Sequence, residues 1–155
     1  PGVARSRIAE GVLMSVPFSP GQEVSRPAAS AVLRVIIADA YPATREVIGQ
    51  VLAADSRFLV VGSVGTMEEA VRLIREAQPD ILLVDPWLSG PAGLPACVAA
   101  KQFRPGMLLV ALLPEEREEY IRAAQALGAD ASLQKRLITR DLMPVLREVT
   151  GARGR

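Results

Sequence analysis

Three residues of this chain have the types and the placement to do chemistry together. "VIIAD" (Val35–Asp39) and "ILLVD" (Ile81–Asp85) are apolar runs that each end in an acid. "ASLQK" (Ala131–Lys135) is a short run that ends in an amine. If the three runs are neighbouring strands, two carboxylates and one ammonium meet at one edge of a sheet. Such a set can hold a hard divalent cation and a phosphoryl group. Each residue also has a plainer reading. Asp85 can cap a local turn, and Asp39 can cap the helix opened by Pro42. Lys135, beside Arg136, can be a solvated lysine or the partner of Asp85 in a structural salt bridge.

The bulk composition narrows the field. Half of the 155 residues are hydrophobic and only 4% are aromatic, so the core must be aliphatic. The 18 basic and 17 acidic residues nearly cancel, which gives no electrostatic case for nucleic-acid or membrane binding. Cys97 is the sole cysteine and there is no histidine, so an intramolecular disulfide and a His- or thiolate-ligated zinc site are excluded. Oxygen-ligated Mg²⁺ stays open. No apolar run approaches the ~20 residues of a membrane span. The runs near the start are too short for a signal peptide. A cytoplasmic location is expected.

The elements that must position the three residues follow from periodicity. Residues 1–31 read as an N-terminal tail or linker, since "SVPFSPGQEVSRPAAS" (Ser15–Ser30) is rich in Pro, Ser and Gly. Residues 32–150 form the regular domain, and residues 151–155 are a C-terminal tail. Strands are expected at Val32–Ala38, Phe58–Val64, Asp80–Val84, Met107–Leu113 and Ala131–Leu133. Helices are expected between them: from Pro42 to Ala54, after a Thr66/Glu69 capping box, from Leu94 to Phe103, from Pro114 to Gly128, and from Asp141 to Val149. The expected fold is α/β, a five-stranded parallel doubly wound sheet with helices on both faces. In strand order 2-1-3-4-5, the first and third strands are adjacent, so Asp39 and Asp85 face each other at the switch point.

With these residues in view, "VIIADAYPATREVI", "PDILLVDPWLSG" and "LGADASLQK" resemble the receiver domain of bacterial two-component response regulators, a flavodoxin-like fold. The resemblance covers about Val32 to Thr150. It implies that Asp85 is the phosphoacceptor position and that Lys135 pairs with the acceptor or its phosphate. It also implies a weakly held Mg²⁺ on Asp39, Asp85 and the backbone carbonyl of Trp87.

Five positions depart from that family's pattern. Ala40 stands where a second acid usually follows Asp39, which removes one charged support of the metal. Leu113, or Leu112 if the register slips, stands in place of the usual hydroxyl. Ser132 replaces the usual aromatic three positions before Lys135. Trp87 is bulky, and Ser89 replaces the proline usual before the glycine. The expected function is therefore an atypical receiver that works in signal transduction through protein–protein contacts, with weak or absent control by phosphate and no enzymatic activity. The expected partners are a sensor kinase or downstream effector and a second copy, through the last two helices and the fifth strand. Direct nucleic-acid binding is not expected. The alternatives are a working phosphorelay receiver, with Asp85 as Mg-dependent acceptor and part of a transcriptional regulator, and a flavodoxin-like small-molecule-binding domain. The "DAYPAT" loop is a poor flavin phosphate loop.

Overall fold

The computed structural model describes residues 7–9, 12–14 and 31–151. The chain divides into two compact units, Pro1–Ser30 and Ala31–Arg155. In the first, β1 (Arg7–Ala9) and β2 (Val12–Met14) pair antiparallel, with Ile8 opposite Leu13. This ladder lies in the stretch expected to be tail or linker. Runs of three residues are too short for alternation to register in the sequence. The Pro-, Ser- and Gly-rich stretch Ser15–Ser30 and residues 152–155 lie outside the described residues.

The second unit alternates strand and helix. Its elements are β3 (Leu33–Ala38), α1 (Pro42–Ala53), β4 (Phe58–Val64), α2 (Met67–Ala77), β5 (Ile81–Val84), α3 (Gly93–Phe103), β6 (Leu108–Leu113), α4 (Glu118–Ala126), β7 (Ala131–Gln134) and α5 (Ile138–Gly151). One parallel sheet has the order β4-β3-β5-β6-β7. Counting only this sheet's strands, that is 2-1-3-4-5, the expected topology. The β3–β4 register slips by one residue: Val35 pairs with Val60, but Ile36 pairs with Gly62.

β5 and β6 are buried along their whole length, which is why their sequences are continuous apolar runs rather than alternating ones. Alternate residues still go to opposite faces. Ile37, Leu83, Val110 and Leu112 pack on Ile48 and Leu52 of α1 and on Leu142 and Leu146 of α5. Ile36, Leu82, Val84 and Leu109 pack on Ala70 and Ile74 of α2 and on Cys97 of α3. A buried leucine in such a sheet contributes roughly 2 kcal/mol by area alone.

Local signals explain the helix starts. Pro42 supplies the first turn of α1. Thr66 caps α2, its hydroxyl accepting from the Glu69 amide at 3.2 Å. Two helix starts differ from expectation by three residues or more. α4 begins at Glu118 instead of Pro114, because Arg117 is still extended. α5 begins at Ile138 instead of Asp141, so Pro144 falls inside the helix and not in its first turn. A 3₁₀ turn, Lys135–Leu137, runs directly into α5. The buried row Ile138, Leu142 and Leu146 holds that early start. α3 is likewise preceded by a 3₁₀ turn at Gly90–Ala92.

Candidate functional site

The ends of β3, β5 and β7 bring Asp39, Asp85 and Lys135 together, as the spacing in the sequence requires. Asp39 is fully buried. Its Oδ1 accepts from the Tyr41 amide at 2.8 Å, and its carbonyl accepts from Arg45 Nη1 at 2.6 Å. The carboxylate therefore closes a local turn ahead of α1 and does not cap the helix itself; the cap position belongs to Tyr41, which makes no side-chain cap bond.

Asp85 follows β5 directly, with its side chain 14% exposed. Its Oδ1 accepts from the Trp87 amide and its Oδ2 from Lys135 Nζ, both at 2.8 Å. The loop behind it is fixed at two points. Gly93 lies so close that a Cβ there would meet the Leu88 carbonyl oxygen at 2.2 Å and that of Pro86 at 2.8 Å. Ser89, in the left-handed region at φ 63°, accepts from the Met67 amide at 3.0 Å through its Oγ. Ser89 thus ties the loop after β5 to the start of α2.

Lys135 is not a solvated lysine. Its Nζ lies 2.6 Å from Asp39 Oδ2 and 2.8 Å from Asp85 Oδ2. The Asp39 contact is off the direction of a hydrogen bond, so Oδ2 is a buried oxygen without a hydrogen-bond donor among the described residues. The Tyr41 ring covers the ammonium, its centroid 5.1 Å from Nζ. Burial opposes the charge on Lys135, but its close contacts with the Asp39 and Asp85 carboxylates prevail and hold its pKa above the ordinary lysine value.

Ala40 is exposed and offers no oxygen. Leu113 is 2% exposed and clusters with Ala111 and Ala124, against which Trp87, Tyr120 and Ile121 pack. Leu112 goes to the opposite face, among the residues under α1 and α5. Ala111 and Leu113 are therefore the residues of β6 on the Trp87 face. Trp87 and Tyr120 meet edge to face. Ser132 is exposed and helps line a groove of about 550 Å³ over β7, with Leu113, Ile121, Arg136, Arg140 and Glu148. The sequence did not single out Tyr41, Tyr120 or Arg45. Tyr41 could have been suspected as an aromatic directly behind the acidic loop.

The donor set does not fit Mg²⁺ as the site stands. Both Oδ1 atoms are taken by backbone amides, and both Oδ2 atoms face Lys135. The Trp87 carbonyl accepts from the Gly90 amide at 2.9 Å. No cluster of three His, Cys, Asp or Glu is present among the described residues. Mg²⁺ demands near-octahedral oxygen ligands and gives up water reluctantly. Elsewhere, Cys97 is buried in α3, and burial pushes its thiol up to about 12. No described helix is long and apolar enough to cross a membrane.

Known proteins share this architecture. The receiver domain of the stress response regulator RcsB from Escherichia coli superposes with a TM-score of 0.72 at 20% identity, over 77% of this chain and 94% of that one. The response regulator domain of Thermotoga maritima CheB superposes with a TM-score of 0.67 at 21% identity, over 77% of this chain and 97% of that one. Among curated sequences, the uncharacterized transcriptional regulatory protein YxjL of Bacillus subtilis is 28% identical over 122 residues. That match covers 79% of this chain and 55% of the relative. A protein-glutamate methylesterase/protein-glutamine glutaminase of Paramagnetospirillum magneticum is 28% identical over 99 residues, 64% of this chain but only 28% of that protein. The chain thus spans about half of the first relative's length and less of the second. The model of the response regulator receiver domain family matches residues 35–147. With its parallel sheet of order 2-1-3-4-5 and two aspartates and a lysine at the sheet's edge, the chain belongs to the response regulator receiver domains of two-component signalling.

Proposed function

We propose that this receiver domain signals through protein contacts and that phosphate at Asp85 controls it weakly or not at all. Receiver domains work with sensor kinases and effectors and use Mg²⁺ when they are phosphorylated. Here Asp85 is the acceptor position, Asp39 the remaining metal position and Lys135 the pairing residue. The observation that carries the reading is the closure of both carboxylates by Lys135, at 2.6 and 2.8 Å. Phosphoryl transfer to an aspartate depends on positioning and charge neutralisation by metal and base. With Ala40 in place of an acid, one metal support is gone. With Leu113 or Leu112 in place of a hydroxyl, the end of β6 offers only apolar side chains, and Leu113 clusters with Trp87.

The contact surface we assign is the face of α4, β7 and α5. Its groove carries both signs of charge, Arg136 and Arg140 beside Glu116 and Glu148. A twofold interface needs a self-complementary patch of this kind. The partners are a sensor kinase or effector and a second copy of the chain. We assign the domain to the cytoplasm and give it no enzymatic step and no nucleic-acid contact of its own.

Incubation with acetyl phosphate or beryllofluoride in Mg²⁺ tests this reading. Mass spectrometry should find little modification of Asp85, and the hydrodynamic size should not change. Stoichiometric labelling with a shift in oligomeric state would sink it. One observation favours a working switch instead: Asp85 keeps 14% of its side chain accessible at the strand end. On that second reading, Asp85→Asn abolishes a phosphate response that the wild-type chain displays.

A further inference from the structure

Four charged groups crowd the carboxyl edge of the sheet. Asp39 and Asp85 are the acids, and Lys135 and Arg45 are the bases. Lys135 Nζ stands between Asp39 Oδ2 and Asp85 Oδ2, 2.6 and 2.8 Å away. Arg45 Nη1 adds a second positive group 2.6 Å from the Asp39 carbonyl. The Tyr41 ring closes over the ammonium, and its negative face favours a cation there. Position 40, where a third carboxylate would tip the balance, is alanine.

We infer that Lys135 is the resident cation of this site, its ammonium taking the bridging place between Asp39 and Asp85 and thereby excluding divalent metal. This deepens the proposed function and rests on it for the identity of the site. Two acids matched by two bases leave no net charge to draw in a divalent ion. To enter, Mg²⁺ must shed water, move the ammonium from under Tyr41 and break its hydrogen bond to Asp85. Without the lysine's charge the balance reverses. Two carboxylates then face each other, one of them fully buried with an oxygen that takes no hydrogen bond. An uncompensated buried charge is costly, and a divalent ion is what relieves it.

The test uses the full chain as wild type, Lys135→Gln and Lys135→Arg. Each is titrated with MgCl₂ against NaCl at matched ionic strength. The readouts are thermal midpoint and emission of Trp87, the only tryptophan, whose amide sits on Asp85. Wild type and Lys135→Arg should show no saturable response across the millimolar range. Lys135→Gln, which keeps a donor but loses the charge, should saturate with Mg²⁺ affinity at least roughly tenfold above wild type. If Lys135→Gln does not fold in NaCl, refolding specifically on addition of MgCl₂ supports the inference. Refolding in neither salt, or in both alike, overturns it. Saturation of the wild type at millimolar Mg²⁺, or no gain in folded Lys135→Gln, overturns it too. Wild type that binds Mg²⁺ without labelling at Asp85 overturns this inference and leaves the proposed function standing. Labelling of Asp85 without Mg²⁺ binding does the reverse.

Discussion

The indole of Trp87 meets the ring of Tyr120 edge to face, with centroids 4.6 Å apart and planes at 82°. One residue thus serves two elements. The Trp87 amide orients the Asp85 carboxylate, while its ring anchors the loop to α4. Replacing Tyr120 by Leu keeps apolar bulk and loses the ring edge. We expect a cost of about 1 kcal/mol in urea unfolding and a red shift of Trp87 emission. Unchanged emission would show that the two rings do not meet in solution.

Lys135 makes stability depend on alkaline pH. Its folded pKa is raised above the ordinary 10.5. Its stabilising contribution is therefore complete below 10.5 and lost as pH rises through the folded value. Wild type should lose more of its urea midpoint above that pH than Lys135→Gln does. A site-resolved NMR titration of Lys135 should place its midpoint above that of an exposed lysine; a midpoint at or below 10.5 contradicts the ion contacts.

Cys97 should be inert in the folded domain. Its thiol moves from 9.0 to about 12, chiefly through burial and next through the charge of Asp85. The neutral thiol is the form the fold prefers, so its contribution is intact below 9.0 and fades as pH climbs toward 12. Alkylation by iodoacetamide at mildly alkaline pH should be at least about a hundredfold slower than in denaturant, limited by opening of the structure. A native rate within a few-fold of the denatured one would mean that α3 does not cover the thiol.

Gly93→Ala should disturb the loop that follows Asp85 more than its size suggests. The added methyl would meet backbone oxygens of Leu88 and Pro86, which cannot swing aside like a side chain. We expect a loss of about 2 kcal/mol or more in thermal or urea unfolding, with the amide resonances of Asp85 and Trp87 displaced. A neutral effect would mean that the loop and the start of α3 are looser than the packing indicates.

The sheet was legible because burial on both faces writes itself as unbroken apolar runs such as Ile81–Val84 and Leu108–Leu113. Those runs also located Asp39 and Asp85, each being the residue at which a run stops, whereas Lys135 follows the short, mixed strand Ala131–Gln134. Helix starts were less legible. α5 begins early because Ile138 is buried, which its neighbours in sequence do not announce, and Pro144 pointed to a later start. The contacts of Tyr41 and Tyr120 were out of reach, since each meets a residue far along the chain. That Leu113 packs toward Trp87 while Leu112 packs under α1 and α5 shows only in the face each takes. The Ser89 bond to the α2 amide left no local signature either, because its partner lies 22 residues away.

The slip between β3 and β4 bears on how the domain behaves in concentrated solution. β4 is an outermost strand, and Phe58–Val64 contains no charge and no proline, the usual deterrents to strand addition. Leu59 on this strand is 49% exposed. The irregularity beside Val61 increases the local twist and breaks the even spacing that an incoming strand would need. That single extra residue is the guard on this rim against intermolecular zippering, and a deletion that evened the ladder would be expected to lower solubility before it lowered stability.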